Sequence, residues 1–221
     1  MNLLEQLLAL IAPHRCLRCD FEGYVLCPAC AVHLPVIPSR CYRCGVATHD
    51  FITCKRCRAA SPLSAVWAAT AYEGVAKDII HRLKFERARA AAWDIARDMA
   101  AQMPADTAWI VTHAPTATSR VRGRGYDQAA LIAKEVARQL SRSYIPLLAR
   151  TGQQRQVGQT RTARRRQLQK AFVPLRLQQI QSAHILIIDD VLTTGSTLEA
   201  AATVLKAAGA KKVTAAVFAV A

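Results

Sequence analysis

The stretch ILIIDDVLTTGSTL, residues 185–198, constrains the fold of this 221-residue chain more than any other segment. The four branched apolar residues 185–188 lack the alternation of a half-exposed strand and are typical of a strand buried on both faces of a parallel sheet. We expect this strand to end at Asp189. After a turn, Ser196 can cap a helix whose apolar residues recur at helical spacing, and Gly209 fits the position that follows a helix end. The segment predicts a strand, a loop and a helix.

The loop of this unit has the features of a phosphate site. In an open parallel sheet, ligands bind beyond the carboxyl ends of the strands, and a helix that follows a small-residue loop offers free N–H groups to an anion. Asp189 and Asp190 conflict with a simple anion site, because like charges about 7 Å apart repel by roughly 2 kcal/mol at an effective dielectric near 20. Sugar hydroxyls resolve the conflict, since they donate hydrogen bonds to the acids while residues 193–197 hold a phosphate. We predict a ribose 5-phosphate site.

An apolar strand, two aspartates, two further residues and Thr-Thr-Gly-Ser-Thr together resemble the phosphoribosyl pyrophosphate (PRPP) signature of the type I phosphoribosyltransferases. The glycine-rich motifs of P-loop and dinucleotide-binding proteins do not occur in the sequence. The alternative is an acidic pair that merely ends a strand beside a helix cap. A cap rarely needs all of the hydroxyl residues found here, so we favour the PRPP interpretation.

All eight cysteines lie in four C-x-x-C pairs within the first 57 residues. This spacing lets one turn present two thiolates to a metal ion, and two such turns complete a tetrahedral site. Disulfides and iron–sulfur ligation are weaker alternatives, because the sequence has no export signal and its spacing differs from that of common clusters. We predict two structural Zn²⁺ ions. The ligands would be Cys16, Cys19, Cys27, Cys30, Cys41, Cys44, Cys54 and Cys57.

Sequential pairing of these cysteines would give two short zinc ribbons, the first four thiolates on one ion and the last four on another. Interleaved pairing is an open alternative. Closed all-thiolate sites hold structure and do not activate water. Since structural zinc supplies roughly 10–16 kcal/mol of apparent binding energy in small fingers, we expect Cys-to-Ser changes to unfold this region.

The net charge of +15 is unevenly distributed along the chain. Between Val136 and Ile188 there are ten Arg or Lys residues and no Asp or Glu. Such a one-signed patch favours polyphosphates, nucleic acids or anionic surfaces, and a basic solvated face is the plainer alternative. No apolar run of about 18 residues occurs, so we expect no membrane span and a cytoplasmic protein.

Elsewhere, helical and strand patterns alternate. We predict one or two helices over 75–103, a helix over 127–140 and four core strands, which together indicate an α/β fold with a parallel sheet flanked by helices. The segment SAVWAATAYEG reads as a strand and turn that leaves the cysteine module. We predict two domains, an N-terminal helix with the zinc-ribbon module over 1–60 and the sheet domain over 61–221.

Two further segments carry specific expectations. The apolar residues of the first 14 positions lie on one helical face, which predicts a docking helix. Residues 150–170 have almost no apolar side chains, and we interpret them as a mobile lid with a short basic helix. Arg164 and Arg165 of this lid are placed to meet pyrophosphate as it closes. A segment that is simply disordered in the free protein is the alternative.

Over nearly its whole length the chain resembles the ComF family, which includes competence proteins and GntX-type proteins. The resemblance rests on the order of its segments along the chain. They are the apolar N-terminal helix, the four C-x-x-C pairs, CYRCG, YEG, IIHRLKF, RGRGYDQA, the region from Gln156 to Phe172 and ILIIDDVLTTGSTL. It implies a type I phosphoribosyltransferase-like domain joined to a small N-terminal zinc-ribbon module.

The resemblance also implies roles for single residues. It assigns Asp189 and Asp190 to the ribose hydroxyls, directly or through Mg²⁺. Lys84 matches the lysine of the family's Lys-Phe pair. The residues that would hold the 5-phosphate are Thr193, Thr194, Gly195, Ser196 and Thr197.

Besides Gln167, which stands where an Asn is usual, three positions depart from the family pattern. Arg124, Gly125 and Gln128 match its Arg-Gly-Phe-Asn-Gln stretch, but Tyr126 and Asp127 stand where Phe and Asn are usual. At the end of the strand TAWIVTHAP, His113 stands in a loop that usually reads Val-Pro-Val-Pro and that should approach pyrophosphate.

The resemblance implies a PRPP-binding protein that transfers phosphoribosyl to an unknown nitrogen acceptor and releases pyrophosphate through an oxocarbenium-like state. The rival hypothesis is a non-catalytic protein that senses PRPP or nucleotides, or that binds single-stranded DNA during uptake. Single-strand binding usually needs stacking aromatics. Aromatic residues make up only 6% of the chain, and residues 150–170 contain none, which weakens the rival.

Overall fold

A five-stranded parallel sheet forms the centre of the protein, whose computed structural model describes residues 13–85, 89–104, 109–151 and 171–221. Each neighbouring pair of strands is parallel. The strands in spatial order are β1 (Val66–Ala71), β7 (Lys212–Val220), β6 (His184–Leu192), β2 (Ile110–His113) and β3 (Ser143–Tyr144). The predicted fold class is confirmed, but the sheet has a fifth strand because the segment that leaves the cysteine module pairs with β7 and becomes an edge.

The remaining elements surround this sheet. A two-stranded antiparallel ribbon is formed by β4 (Leu148–Arg150) and β5 (Phe172–Pro174). The described helices are α1 (Pro28–Ala31), α2 (Lys55–Arg58), α3 (Gly74–Phe85), α4 (Ala91–Ala100), α5 (Thr118–Arg124), α6 (Gln128–Gln139), α7 (Leu177–Ile180) and α8 (Ser196–Ala207). The pattern over 75–103 therefore gives two helices, α3 and α4. The predicted helix over 127–140 corresponds to α6, with Asp127 as its N-cap.

Strand β6 lies between two apolar layers, as its branched residues predict. Leu186 and Ile188 pack in a core that includes residues of α3, α4 and α6, whereas Ile185 and Ile187 pack in a second core that includes residues of α8. All four side chains are fully buried. Because the strand is covered on both faces, chemistry at this sheet is confined to the edge where the strands end.

The cysteine-rich region consists of two halves with the same backbone design. In each half, the residue before the first cysteine bridges the residue seven positions later, Arg15 to Glu22 and Arg40 to Ala47. Each half ends in a one-turn helix that begins directly after a cysteine. The first half is joined to the sheet domain by buried Asp94 of α4, whose carboxylate accepts hydrogen bonds from the Val25 and Leu26 amides.

Several predictions about chain organisation fall outside these elements. The predicted docking helix lies mainly on residues 1–12 and the predicted lid on residues 152–170, both outside the described residues. The division into 1–60 and 61–221 stays a prediction. Within the described part of the chain, no helix has the length and apolar character needed to cross a bilayer.

Candidate functional site

The two acids of the signature lie inside β6, not after it. The prediction that the strand ends at Asp189 is wrong, because β7 is nine residues long and continues to pair with β6 as far as Leu192. Asp189 and Asp190 therefore have fixed strand geometry at the carboxyl end of the sheet. Asp189 also lines a small concavity together with Val191 and residues 192–198.

The loop after β6 leads directly into the twelve-residue helix α8. The predicted cap residue Ser196 is wrong: the N-cap is Gly195, which adopts a left-handed φ of 73° and has no side chain to cap the helix. The Ser196 amide makes a long contact of 3.5 Å to Thr194 Oγ1, but the N-cap residue supplies no cap, so the first amides of α8 can serve an anion. Thr194 Oγ1 lies 2.7 Å from Ser196 Oγ, so both hydroxyls border the same helix start.

Asp190 is the point where three parts of the chain converge. Its side chain is 9% exposed, and its Oδ2 lies 2.8 Å from Lys84 Nζ at the end of α3. Gln128 Nε2, at the start of α6, donates to the same oxygen at 3.4 Å. Lys84 and Gln128 were singled out only by the family resemblance, and the fold brings both to the acid of the PRPP signature.

The adjacent Asp189 has a different electrostatic environment. Burial and then the neighbouring Asp190 carboxylate raise the pKa of Asp189 well above its ordinary value, while Lys84 and the Asp190 amide act in the opposite direction. Repulsion between two neighbouring carboxylates is relieved by a proton on one of them or by a nearby cation. The pair is therefore suited to bind a Mg²⁺ ion or the donor hydroxyls of a diol.

Two polar groups near Asp190 have no hydrogen-bond partner among the described residues. They are Arg124 Nη1 and Gln128 Oε1, and both atoms are buried. The guanidinium of Arg124 lies over the ring of Phe85, 5.1 Å from the ring centroid. Phe85 is the residue that follows Lys84 in the chain. Because unsatisfied buried polar groups are rare in folded proteins, this donor and this acceptor are available to a ligand.

The two departures in RGRGYDQA make specific contacts. Tyr126 is buried, and its hydroxyl donates to the Leu83 carbonyl, which fixes the backbone next to Lys84. Asp127 Oδ1 accepts from the Ala129 amide, and Oδ2 accepts from the Thr116 amide at 2.8 Å. The carboxylate thus joins the loop after β2 to the start of α6.

His113, the third departure, ends β2 and is 8% exposed. Its Nδ1 lies 3.0 Å from Tyr144 Oη, and its Nε2 lies 3.9 Å from Asp127 Oδ2. Burial lowers the pKa of His113, with Lys134 acting in the same direction and Asp127 in the opposite one. His113 is therefore held between Tyr144 and Asp127 at the end of β2.

Sequence reasoning missed two arginines at this edge. Arg150, at the end of β4, donates to the Pro115 carbonyl at 3.3 Å and lies over the Phe172 ring. Burial lowers the pKa of Arg150, the nearby Arg120 lowers it further, and Asp189 and Asp127 act in the opposite direction. Only the tertiary fold reveals this cluster, since Arg120 and Arg150 are separated by a helix and a strand. Arg164 and Arg165 lie outside the described residues.

The eight cysteines form two clusters in sequential order, 16–30 and 41–57, and not in interleaved order. In each cluster the four Sγ atoms lie within 4.8 Å of one another. A tetrahedron with Zn–S bonds of ~2.3 Å has S···S edges of about 3.8 Å. The Cys19–Cys27 and Cys44–Cys54 separations of 3.6 and 3.7 Å fit that geometry. Each cluster can therefore hold one Zn²⁺.

Comparison with known proteins agrees with this geometry. Residues 127–220, which include β6, the loop and α8, match the phosphoribosyl transferase domain. The chain is 28% identical over 206 residues to the DNA utilization protein YhgH of Salmonella typhimurium, and to that of Escherichia coli K12. Each alignment covers 85% of this chain and 87% of the relative. The chain therefore carries a phosphoribosyl transferase domain preceded by two four-cysteine clusters and is homologous to the YhgH proteins, which confirms its resemblance to the ComF family.

Proposed function

We propose that this protein binds PRPP with Mg²⁺ and transfers its phosphoribosyl group to a nitrogen acceptor, releasing pyrophosphate. The observation that carries the proposal is the convergence of Lys84 and Gln128 on Asp190, beside the uncapped start of α8. This arrangement places acceptors for sugar hydroxyls next to donors for a phosphate, which is the order of groups along a ribose 5-phosphate. The proposed setting is the cytoplasm, where cysteine thiols stay reduced.

Each group of residues has a distinct task in the proposed reaction. Asp189 and Asp190 orient the ribose, and the amides of 193–197 hold the 5-phosphate. Lys84, Arg124 and Arg150 stabilise the charge that develops on the departing pyrophosphate. When bound, Mg²⁺ would neutralise part of that charge. Neither aspartate needs to act as a general base.

Titration of the purified, zinc-loaded protein with PRPP in a calorimeter tests this proposal. We expect Mg²⁺-dependent binding within the range of about 1 μM to 1 mM that is typical of enzyme substrates. Pyrophosphate release would then be followed with a panel of nitrogen nucleophiles to find the acceptor. Absence of PRPP binding at low and high salt, with zinc present, would contradict the proposal.

A second candidate function, binding of single-stranded nucleic acid, is favoured by an aromatic series on the surface. Phe21, Tyr24 and Trp93 follow one another with ring centroids 6.3 and 5.9 Å apart. Phe21 is 61% and Trp93 38% exposed, and the Arg97 guanidinium lies over the Trp93 ring. Bases stack on exposed aromatics of this kind. The name of the relatives, DNA utilization protein, supports the same candidate.

For this candidate, Phe21→Ala is expected to weaken binding of an oligothymidine by about 5- to 150-fold, the effect of losing one base–aromatic stack. Val36→Ala, which truncates a side chain that is 89% exposed and not part of the series, serves as the control. Fluorescence anisotropy at several salt concentrations measures both affinities. Equal affinity for wild type and Phe21→Ala would exclude this surface as the binding site.

A further inference from the structure

The second cysteine cluster contacts the phosphate loop through Tyr42, the residue that follows Cys41. A Cβ atom built on Gly195 would lie 3.2 Å from both Cδ2 and Cε2 of the Tyr42 ring. The ring therefore packs directly on the backbone of the loop at its left-handed residue. No side chain larger than hydrogen fits at Gly195 without moving the ring or the loop, so the contact fixes their relative position.

The polar groups of the same turn bind the first turn of α8. Tyr42 Oη lies 2.8 Å from Glu199 Oε1 and 2.5 Å from Ser61 Oγ. Arg43 Nε lies 2.9 Å from the same Glu199 oxygen. Arg43 and Glu199 are only 22% and 15% exposed, so salt screens their interaction less than that of a surface pair.

Glu199 is an unfavourable residue for a phosphate site unless its charge is compensated. It lies one helical turn after Gly195, whose carbonyl accepts from the Glu199 amide at 2.9 Å. A carboxylate in the first turn stabilises an empty helix start but repels an anion bound there. Arg43 supplies the opposite charge, and Tyr42 supplies a hydrogen bond to the same carboxylate.

Among the described residues, the corresponding positions of the first cysteine cluster make no such contact. Its first C-x-x-C turn has Leu17 and Arg18 at the positions of Tyr42 and Arg43. Leu17 packs against the core on the opposite side of the sheet, and Arg18 is exposed. The contact with the phosphate loop is therefore a property of the Tyr42–Arg43 pair and not of C-x-x-C turns in general.

We propose that Tyr42 and Arg43 are positioning residues through which the second cysteine cluster sets the phosphate affinity of the loop 193–197. The inference rests on the proposed function of this loop as the site of the ribose 5-phosphate. Tyr42 holds the backbone of the loop, and Arg43 cancels the repulsion that Glu199 exerts on the bound phosphate. Order in the second cluster is thereby linked to ligand binding in the phosphoribosyl transferase domain.

Calorimetric titration with PRPP and with ribose 5-phosphate tests the role of Arg43. Arg43→Ala is expected to weaken both affinities by about ten-fold, because it exposes the bound phosphate to the Glu199 charge. Adding Glu199→Gln to this variant should restore affinity to near the wild-type value, since the repelling charge is then absent. Arg18→Ala, the same change in the first cluster, should leave affinity unchanged.

A merely structural role for Arg43 would give a different result, in which Arg43→Ala with Glu199→Gln binds no better than Arg43→Ala alone. That outcome, or wild-type affinity in Arg43→Ala, would overturn the inference while leaving PRPP binding by the wild type intact. Amide hydrogen exchange of residues 193–199 gives a readout that needs no ligand. We expect faster exchange in Arg43→Ala and Tyr42→Ala than in Arg18→Ala, and equal rates would refute the coupling even if PRPP is not the ligand.

Discussion

Asp189→Asn combined with Asp190→Asn is expected to remove measurable PRPP binding. A hydrogen bond between a carboxylate and a sugar hydroxyl contributes about 1.5–3 kcal/mol, so the loss of two corresponds to roughly 100- to 10,000-fold weaker affinity. The substitution also removes the charges that would hold Mg²⁺. Calorimetry with PRPP and Mg²⁺ measures the effect directly.

The same double variant is expected to keep its thermal transition, because its two changes act on stability in opposite directions. Burial and Asp190 raise the pKa of Asp189, so the folded protein disfavours its ionised form, and a neutral Asn removes that cost. Asp190→Asn takes the carboxylate away from Lys84, whose side chain is 20% exposed and can reach water. Differential scanning calorimetry should therefore show a transition close to that of the wild type.

A matched variant separates loss of the site from loss of negative charge. Asp50→Asn with Glu135→Gln removes two acids that pair with His49 and Arg138 and that take no part in the site. This variant changes the net charge as much as the Asp189/Asp190 variant does but leaves the candidate site intact, so it should bind PRPP like the wild type. Equal PRPP affinity in the wild type and in the Asp189/Asp190 double variant would refute the ribose assignment.

The central fold was predictable because its signals are local. Four branched apolar residues at 185–188 indicate a strand covered on both faces, and the helix that follows is marked by spacing and by Gly209, which has a φ of 100°. The end of β6 was not predictable from that segment. It depends on the length of its partner β7, and aspartates are poor strand formers that only such pairing keeps in a sheet.

The acids and the loop of the candidate site could be singled out from the sequence, because they are contiguous in it. Lys84 and Gln128 needed a family resemblance, because nothing in their local pattern indicates that α3 ends and α6 begins near Asp190. The contact of Tyr42 with the loop could not be predicted, since more than 150 positions separate Tyr42 from Gly195. A tyrosine within a C-x-x-C turn is also ordinarily a packing residue. Long-range packing, not local pattern, places it on the loop.

Cys30→Ser is expected to lower the free energy of unfolding by at least ~5 kcal/mol, which corresponds to a drop in Tm of about 10–20 °C for a domain of this size. The change removes one thiolate from a four-thiolate site, and the remaining three hold Zn²⁺ poorly. Cys16, Cys27 and Cys30 are buried in the core that also contains Leu186 and Ile188. Loss of this ion should therefore destabilise the sheet domain as well as the cysteine module.

Cys57→Ser is expected to lower the free energy of unfolding less than Cys30→Ser does, but to disturb the loop 193–197 more. In the second cluster Cys41 is buried, Cys44 is exposed, and the other two cysteines are partly buried. Disorder there releases Tyr42 and Arg43 but leaves the core around β6 in place. Zinc content should fall from two ions to one per chain in either variant, as measured by metal analysis.

Chelation and reduction distinguish metal ligation from disulfide bonding in these clusters. A strong zinc chelator should lower the stability of the wild type at least to that of Cys30→Ser, and it should destabilise Cys30→Ser only by the smaller contribution of the remaining ion. A non-chelating reductant should leave the wild-type transition unchanged, because thiolates that bind Zn²⁺ are already reduced. Loss of stability on reduction, or a wild-type Tm and metal content in Cys30→Ser, would contradict a structural zinc site. A wild-type transition that the chelator leaves unchanged would do the same.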